Sequence, residues 1–215
     1  DVPVDHLGGV LSVIAVASLI MGIQTLPNGF STSMGLLFAT ALVAGVLFFW
    51  RQKRAPRPLV DLDAASVPTF WVAALAGTIT FGSLMGALFL GAQFTQNVLG
   101  YDSLKAALMT LPMSLMLIII SPFAGRMVQA RGSRVTLAFG LVVVAIGFII
   151  MIVTWHEGAS VFVVLLSYAV VGAGVGACAT PAAHALMASL PVSRAGMGSA
   201  FTDLTRDFGG AIMQA

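Results

Sequence analysis

Charged residues are scarce in this chain of 215 residues. Only 8% of them are Asp, Glu, Lys or Arg, whereas an ordinary soluble domain carries about 25%. Because a surface that faces water needs polar and charged side chains to cover it, this scarcity excludes an ordinary soluble globule. The net charge of +2 is also too small to indicate a nucleic-acid partner.

Cysteine and the common catalytic motifs are scarce as well. Cys178 is the single cysteine, which excludes an intrachain disulfide and a metal cluster built on cysteine. The sequence contains no P-loop, no HExxH motif and no visible set of nucleophile, base and acid. We therefore expect a protein that is not an enzyme and that uses no cofactor and no metal.

Apolar residues are abundant, at 59% of the chain with a mean hydropathy of +1.01. Since a helix rises about 1.5 Å per residue, about 20 uncharged residues cross a hydrocarbon layer of about 30 Å. Seven segments are long enough: Leu7–Leu26, Ser31–Trp50, Phe70–Gly91, Ala106–Gly125, Val135–Trp155, Val161–Ala183 and Ala195–Ala215. They are continuous runs without the alternation of barrel strands. The predicted fold class is an all-α membrane protein with seven transmembrane helices.

Basic residues predict how these segments are oriented. Eight of the ten Lys and Arg residues fall in three connections that lie on the same side of the membrane: Arg51, Lys53, Arg54, Arg57, Arg126, Arg131, Arg134 and Arg194. Cytoplasmic loops carry an excess of Lys and Arg. The pattern therefore places loops 51–69, 122–134 and 190–195 in the cytoplasm.

The seventh segment differs from the others because it carries three ionisable residues on one helical face. Asp203, Arg206 and Asp207 share that face with Ser199, Gly210 and Gln214. Charges within a membrane-spanning segment are costly, so this face is expected to line protein or a water-filled path. We predict that Asp203 or Asp207 binds and releases a coupling proton. Arg206, paired with Asp203, would tune the proton affinity of that carboxylate. The alternative is a structural ion pair near the cytoplasmic mouth.

A neighbouring edge of the seventh segment carries small residues suited to close helix contact: Gly198, Thr202, Thr205 and Gly209. In the third segment, Gly82 and Gly86 form a similar small-residue pair. Both patterns predict helix packing.

Two further groups are candidates for a substrate cavity. Phe89, Gln93 and Gln96 lie near the end of the third segment, where aromatic and amide groups suit a lipophilic cation. Met109 and Met113 lie on one face of the fourth segment, where flexible thioethers adapt to varied ligands. The alternatives are a hydrogen-bond cluster at the outer mouth for the first group and ordinary core packing for the methionines.

The connection after the fourth segment resembles a family signature. Residues 125–134 resemble the sequence G-x-L-A-D-R-x-G-R-R, which the major facilitator superfamily carries between paired helices. Gly125, Gly132 and Arg134 match, and Gln129 stands where the family has an acid. The resemblance implies a cytoplasmic gating loop that includes Gln129, Arg131 and Arg134.

Three other stretches are similar to the 14-helix drug:proton antiporters of that superfamily. They are Pro58-Leu59-Val60-Asp61-Leu62, Gln96-Asn97-Val98-Leu99-Gly100-Tyr101-Asp102-Ser103, and Pro191-Val192-Ser193-Arg194-Ala195-Gly196 with the later Arg206-Asp207-Phe208-Gly209-Gly210. The resemblance implies that residues 1–60 are an inserted pair of helices. Residues 61–215 would be the C-terminal six-helix bundle without its last helix.

The same resemblance implies a function and partners. The whole protein would export lipophilic, often cationic, drugs across the plasma membrane in exchange for protons, by alternating access of two halves. Its partners would be the lipid bilayer, small lipophilic substrates, protons and an N-terminal half that this chain does not contain. The alternatives are a major facilitator transporter of a specific metabolite, lipid or peptide, and a seven-helix receptor or scaffold.

Overall fold

The computed structural model describes residues 5–54, 68–189 and 195–214. This part of the chain is helical and contains no strand. Its α-helices are α1 (His6–Gln24), α2 (Thr32–Gln52), α3 (Pro68–Gln93), α4 (Ser103–Met109), α5 (Leu111–Arg131), α6 (Ser133–Thr154), α7 (Val161–Ala188) and α8 (Ala195–Gln214). The predicted all-α class is confirmed. The predicted boundary near residue 60 and most of the 190–195 loop lie outside the described residues.

Six stretches are long and apolar enough to cross a membrane. They are His6–Gln24, Thr32–Gln52, Pro68–Val98, Ser103–Arg131, Ser133–Thr154 and Val161–Ala188. Helix α8 is not among them, because Asp203, Arg206 and Asp207 lie within its 20 residues. Its crossing of the membrane therefore stays a prediction.

Short polar side chains set where several helices begin. Ser31, Asp102 and Ser160 each precede a helix and accept a hydrogen bond from the backbone N–H three residues later. Such caps satisfy one of the N–H groups that a helix N-terminus leaves without an intrahelical partner. These capping residues therefore set where α2, α4 and α7 begin.

Two predicted boundaries around the fourth segment are wrong. The segment is not one helix: α4 ends at Met109 and α5 begins at Leu111, since Pro112 fits the first turn of a helix but not its interior. The predicted 122–134 loop is mostly helical as well. Helix α5 continues to Arg131, and Gly132, with φ of +83°, is the single residue between α5 and α6.

Helix α7 lies at the centre of the bundle and contacts α3, α5, α6 and α8. Glycines make the closest contacts: a Cβ on Gly172 would lie 2.7 Å from Met113 Cα, and one on Gly174 would lie 2.5 Å from the Val144 nitrogen. Glycine at these positions lets the helix backbones approach closely, which is how membrane helices gain packing energy.

The buried side chains of the bundle form two clusters. One lies toward the basic end of the bundle, where α3 and α8 begin and α7 ends, and contains Phe70, Leu186 and Met197. The other lies toward the opposite end and includes Met113 and Tyr168. Helices α1 and α2 pack mainly on each other, and α1 also contacts α8.

Candidate functional site

Helix α8 packs lengthwise against α3 through small residues. A Cβ on Gly77 would lie 2.9 Å from the Thr205 hydroxyl oxygen, and one on Gly82 would lie 3.0 Å from the Gly209 carbonyl oxygen. Because these contacts advance along both chains in the same direction, α8 runs parallel to α3. The predicted small-residue edge at Thr205 and Gly209 is therefore a close helix interface.

This packing turns the acidic side of α8 away from the bundle. Thr205 and Gly209 are buried against α3, whereas Asp203 and Asp207, on the far side of the same helix, are exposed. Ser199 and Gln214, on the same side, are exposed as well, whereas Gly210, which was predicted to share this side, is buried beside Met85 of α3. We call the face formed by Ser199, Asp203, Asp207 and Gln214 the acidic face of α8.

Arg206 does not pair with either carboxylate. The predicted Asp203–Arg206 ion pair is absent from the described residues, in which Arg51 and Asp5 form the recorded salt bridge. The guanidinium carbon of Arg206 instead lies 4.7 Å from the centre of the Phe81 ring, on α3. Arg206 stands at the rim of the α3–α8 interface, so its long side chain reaches an aromatic face, which attracts a cation.

Phe81 itself is 9% exposed and lines a narrow cleft where α3, α7 and α8 meet. The other lining residues are Ala73, Gly77, Ala182, Ala183, Leu186, Thr202 and Thr205. They are mostly small and apolar, so an aromatic ring and a guanidinium are the distinctive chemistry at this place. The sequence pattern did not reveal the Phe81–Arg206 contact, because it depends on which helices pair.

The structure does not gather the candidate residues at the end of α3 around a cavity. Phe89, Gln93 and Gln96 are all exposed, and the Asn97 amide donates a hydrogen bond to Gln93 Oε1. Residues 94–98 continue α3 as a π-helical turn. This arrangement agrees with the alternative of a hydrogen-bond cluster at the outer mouth, and a substrate role for these three residues stays a prediction.

Met109 and Met113 lie in the buried core. They are 4% and 1% exposed and belong to the cluster that contains Tyr168. The backbone of Met113 also packs closely against Gly172 of α7. The core interpretation accounts for both methionines, and their predicted substrate contact stays a prediction.

An aromatic group lies at the end of the bundle away from the basic residues. Trp155 stacks on Phe94 with ring centres 4.6 Å apart, and its Nε1 donates a 3.1 Å hydrogen bond to Ser167 Oγ. Tyr168 packs beside Trp155, and its buried hydroxyl has no partner among the described residues. Gly91 makes room for that hydroxyl.

The family signature lies at the basic end. Gln129, Arg131 and Arg134 are exposed on both sides of Gly132. Ser133 Oγ lies 3.3 Å from His184 Nδ1, a hydrogen bond that ties the α5–α6 connection to the end of α7. The structure thus places the predicted gating residues on a tight helical corner anchored to α7.

A second polar feature joins the ends of α1 and α2. Asp5 caps α1 by accepting the Gly8 N–H at 3.0 Å, and Arg51 Nε donates to the same carboxylate at 2.9 Å. The Gln52 amide also reaches Asp5. The Gly8 N–H and then the Arg51 guanidinium lower the pKa of Asp5, although its burial acts in the opposite direction. Sequence analysis missed the contact of Asp5 with Arg51 and Gln52, because these two residues lie in the next helix.

Comparison with known proteins identifies the class to which these helices belong. Six long apolar helices in one bundle define a multi-pass membrane protein. The family model described as Major Facilitator Superfamily matches residues 6–213. The chain therefore belongs to the major facilitator superfamily, which is a family of membrane transporters.

Several relatives carry names that refer to drug resistance. The chain is 32% identical to the multidrug resistance protein Stp of Mycobacterium tuberculosis over 97% of this chain and 39% of that protein. It is 30% identical to the multidrug efflux pump LfrA of Mycolicibacterium smegmatis over 98% of this chain and 42% of that protein. The chain thus spans about two fifths of the length of these relatives.

Proposed function

We propose that this chain is part of a drug exporter that uses a proton gradient. In this proposal α1 and α2 are the inserted helix pair, and α3 to α8 are most of the C-terminal half. The relatives named as multidrug resistance and efflux proteins support the substrate class. A transporter of one metabolite, lipid or peptide is the rival within the family.

The observation that carries the proposal is the acidic face of α8. Helix α8 lies beside α3, a helix long and apolar enough to span a membrane, and runs in the same direction. Asp203 and Asp207 are exposed on the side away from α3 and have no cationic partner among the described residues. Carboxylates at such a depth are costly next to lipid. We propose that they face a water-filled path between this half and the N-terminal half.

A transport cycle follows from this placement. A carboxylate that faces water on one side of the membrane takes up a proton, and it releases the proton when rocking of the two halves exposes it to the other side. The Gly132 corner, with Arg131 and Arg134 beside it, would limit this rocking at the cytoplasmic end. In the whole protein Asp203 and Asp207 are the proposed proton carriers. We propose that this transport cycle operates in the plasma membrane.

Transport assays on the full-length protein test the proposal. A cationic dye is added outside inside-out vesicles whose lumen is acidic, and its uptake into the lumen is followed with and without a protonophore. We expect the protonophore to abolish transport and Asp203→Asn or Asp207→Asn to reduce it at least tenfold. Glu157→Gln, an exposed carboxylate in the α6–α7 connection, is the matched control and should transport normally. Full proton-driven transport by both Asn variants would contradict the proposal.

A further inference from the structure

Arg206 has two partners within reach, one on α3 and one on its own helix. In the structure its guanidinium lies over the Phe81 ring at 4.7 Å. Asp203, three residues earlier on α8, is a neighbour on the helix surface and is exposed. An exposed ion pair of this spacing and a cation–π contact are interactions of the same order of strength. Small changes around either partner therefore decide where the guanidinium rests.

On α3, Phe81 is the recorded partner of Arg206, and no charged side chain competes with it. Within Pro68–Gln93 that helix has no ionisable side chain. The other helices that pack on α8 carry His6 on α1, and Tyr168, Cys178 and His184 on α7. None of these forms an ion pair with α8 in the described part of the chain. The guanidinium of Arg206 can therefore contact either the ring of Phe81 or the carboxylate of Asp203.

A lipophilic cation would compete for the same ring. Aromatic faces bind quaternary and other delocalised cations by the same attraction that holds Arg206. The cleft around Phe81, which Gly77, Ala182 and Thr205 help to line, has no space for a ligand, so a cation reaches the ring only where the guanidinium of Arg206 now covers it. A neutral lipophilic molecule gains no such attraction from the ring.

We propose that Phe81 is a specificity-determining residue for cationic substrates, and that such a substrate displaces Arg206 from the ring toward Asp203. The proposal rests on the proposed drug export, since it names the site by which a charged drug is told from a neutral one. Arg206 then has a positioning role. When a cation occupies the Phe81 ring, the guanidinium moves beside Asp203, the carboxylate that is proposed to carry the proton.

Binding to the purified full-length protein tests this without a transport assay. The probe is tetraphenylphosphonium, with a neutral lipophilic dye for comparison. Phe81→Leu removes the ring, and we expect it to raise the Kd of the cation about three- to thirty-fold and that of the neutral dye less than twofold. Phe81→Trp keeps an aromatic face and should bind the cation within twofold of wild type. Phe139→Leu, an exposed phenylalanine on α6, is the matched control and should change neither Kd.

The competition itself predicts an increase in affinity. Arg206→Gln frees the ring, so the cation should bind more tightly. This gain should disappear when Arg206→Gln is combined with Phe81→Leu. A gain that persists in the double variant would show simple charge repulsion and overturn the proposal. So would a failure of wild type to bind the cation, or an equal loss of both ligands in Phe81→Leu. Cation binding without proton-driven transport would contradict the proposed function alone.

Discussion

The close contact of α8 with α3 can be tested by adding one methyl group at two adjacent glycines. A Cβ on Gly209 would collide with the Thr78 carbonyl oxygen and lie 2.6 Å from the Gly82 nitrogen, both rigid backbone atoms. A Cβ on Gly210 would have the flexible side chain of Met85 as its neighbour, at 3.3 Å. Gly209→Ala should therefore force the helices apart by about 1 Å to regain an ordinary contact distance of about 3.5 Å.

The two variants form a matched pair for measuring this cost. Both replace glycine by alanine in one helix, so the gain in helix propensity, up to about 1 kcal/mol, largely cancels between them. Overpacking of this kind costs about 1–3 kcal/mol. We expect Gly209→Ala to be less stable than Gly210→Ala by about that amount. The assay is unfolding of the purified full-length protein in mixed micelles by titration with a denaturing detergent. Equal stability of the two variants would refute the described α3–α8 packing.

Three further predictions concern other parts of the chain. Asp5→Asn should lower thermal stability at neutral pH; since the pKa of Asp5 is lowered in the folded state, the difference from wild type should shrink as pH falls below about 3.9 and vanish below the folded pKa. Gly91→Ala, whose Cβ would lie 2.6 Å from Tyr168 Cζ, should lower the folded yield, whereas Gly45→Ala, with open space around it, should not. Residues 1–215 expressed alone should reach the membrane but show no dye efflux, because alternating access needs a second half; efflux from this chain alone would contradict the assignment of its helices to one half.

Features that depend on local chemistry could be predicted from the sequence. Long uncharged runs predicted the apolar helices, because about 20 such residues are needed to cross the hydrocarbon layer. The small residues Thr205 and Gly209 predicted a close interface, since their spacing places them on one helical edge. The break at Thr110 and the helical continuation to Arg131 were missed. The break depends on Pro112, and the continuation depends on how far a helix extends past the apolar run; hydropathy measures neither.

Features that depend on pairing between helices could not be predicted. The Asp203–Arg206 pair was expected from spacing within one helix, but packing against α3 offers Arg206 the ring of Phe81 instead. In the same way, the Asp5–Arg51 contact and the fit of Tyr168 against Gly91 arise only when two helices meet. The sequence of one chain does not show which residues of different helices lie close together.

Water access along α8 is the most direct test of the account. In a cysteine-less version of the full-length protein, single cysteines are introduced on the acidic face (Ser199→Cys and Gln214→Cys) and on the other side of the helix (Leu204→Cys and Phe208→Cys). A membrane-impermeant thiol reagent is then applied to membranes from both sides. The account predicts modification at 199 and 214 and protection at 204 and 208. Protection of both acidic-face positions, or reaction on the other side alone, would place that face in lipid and contradict a water-filled path beside Asp203 and Asp207.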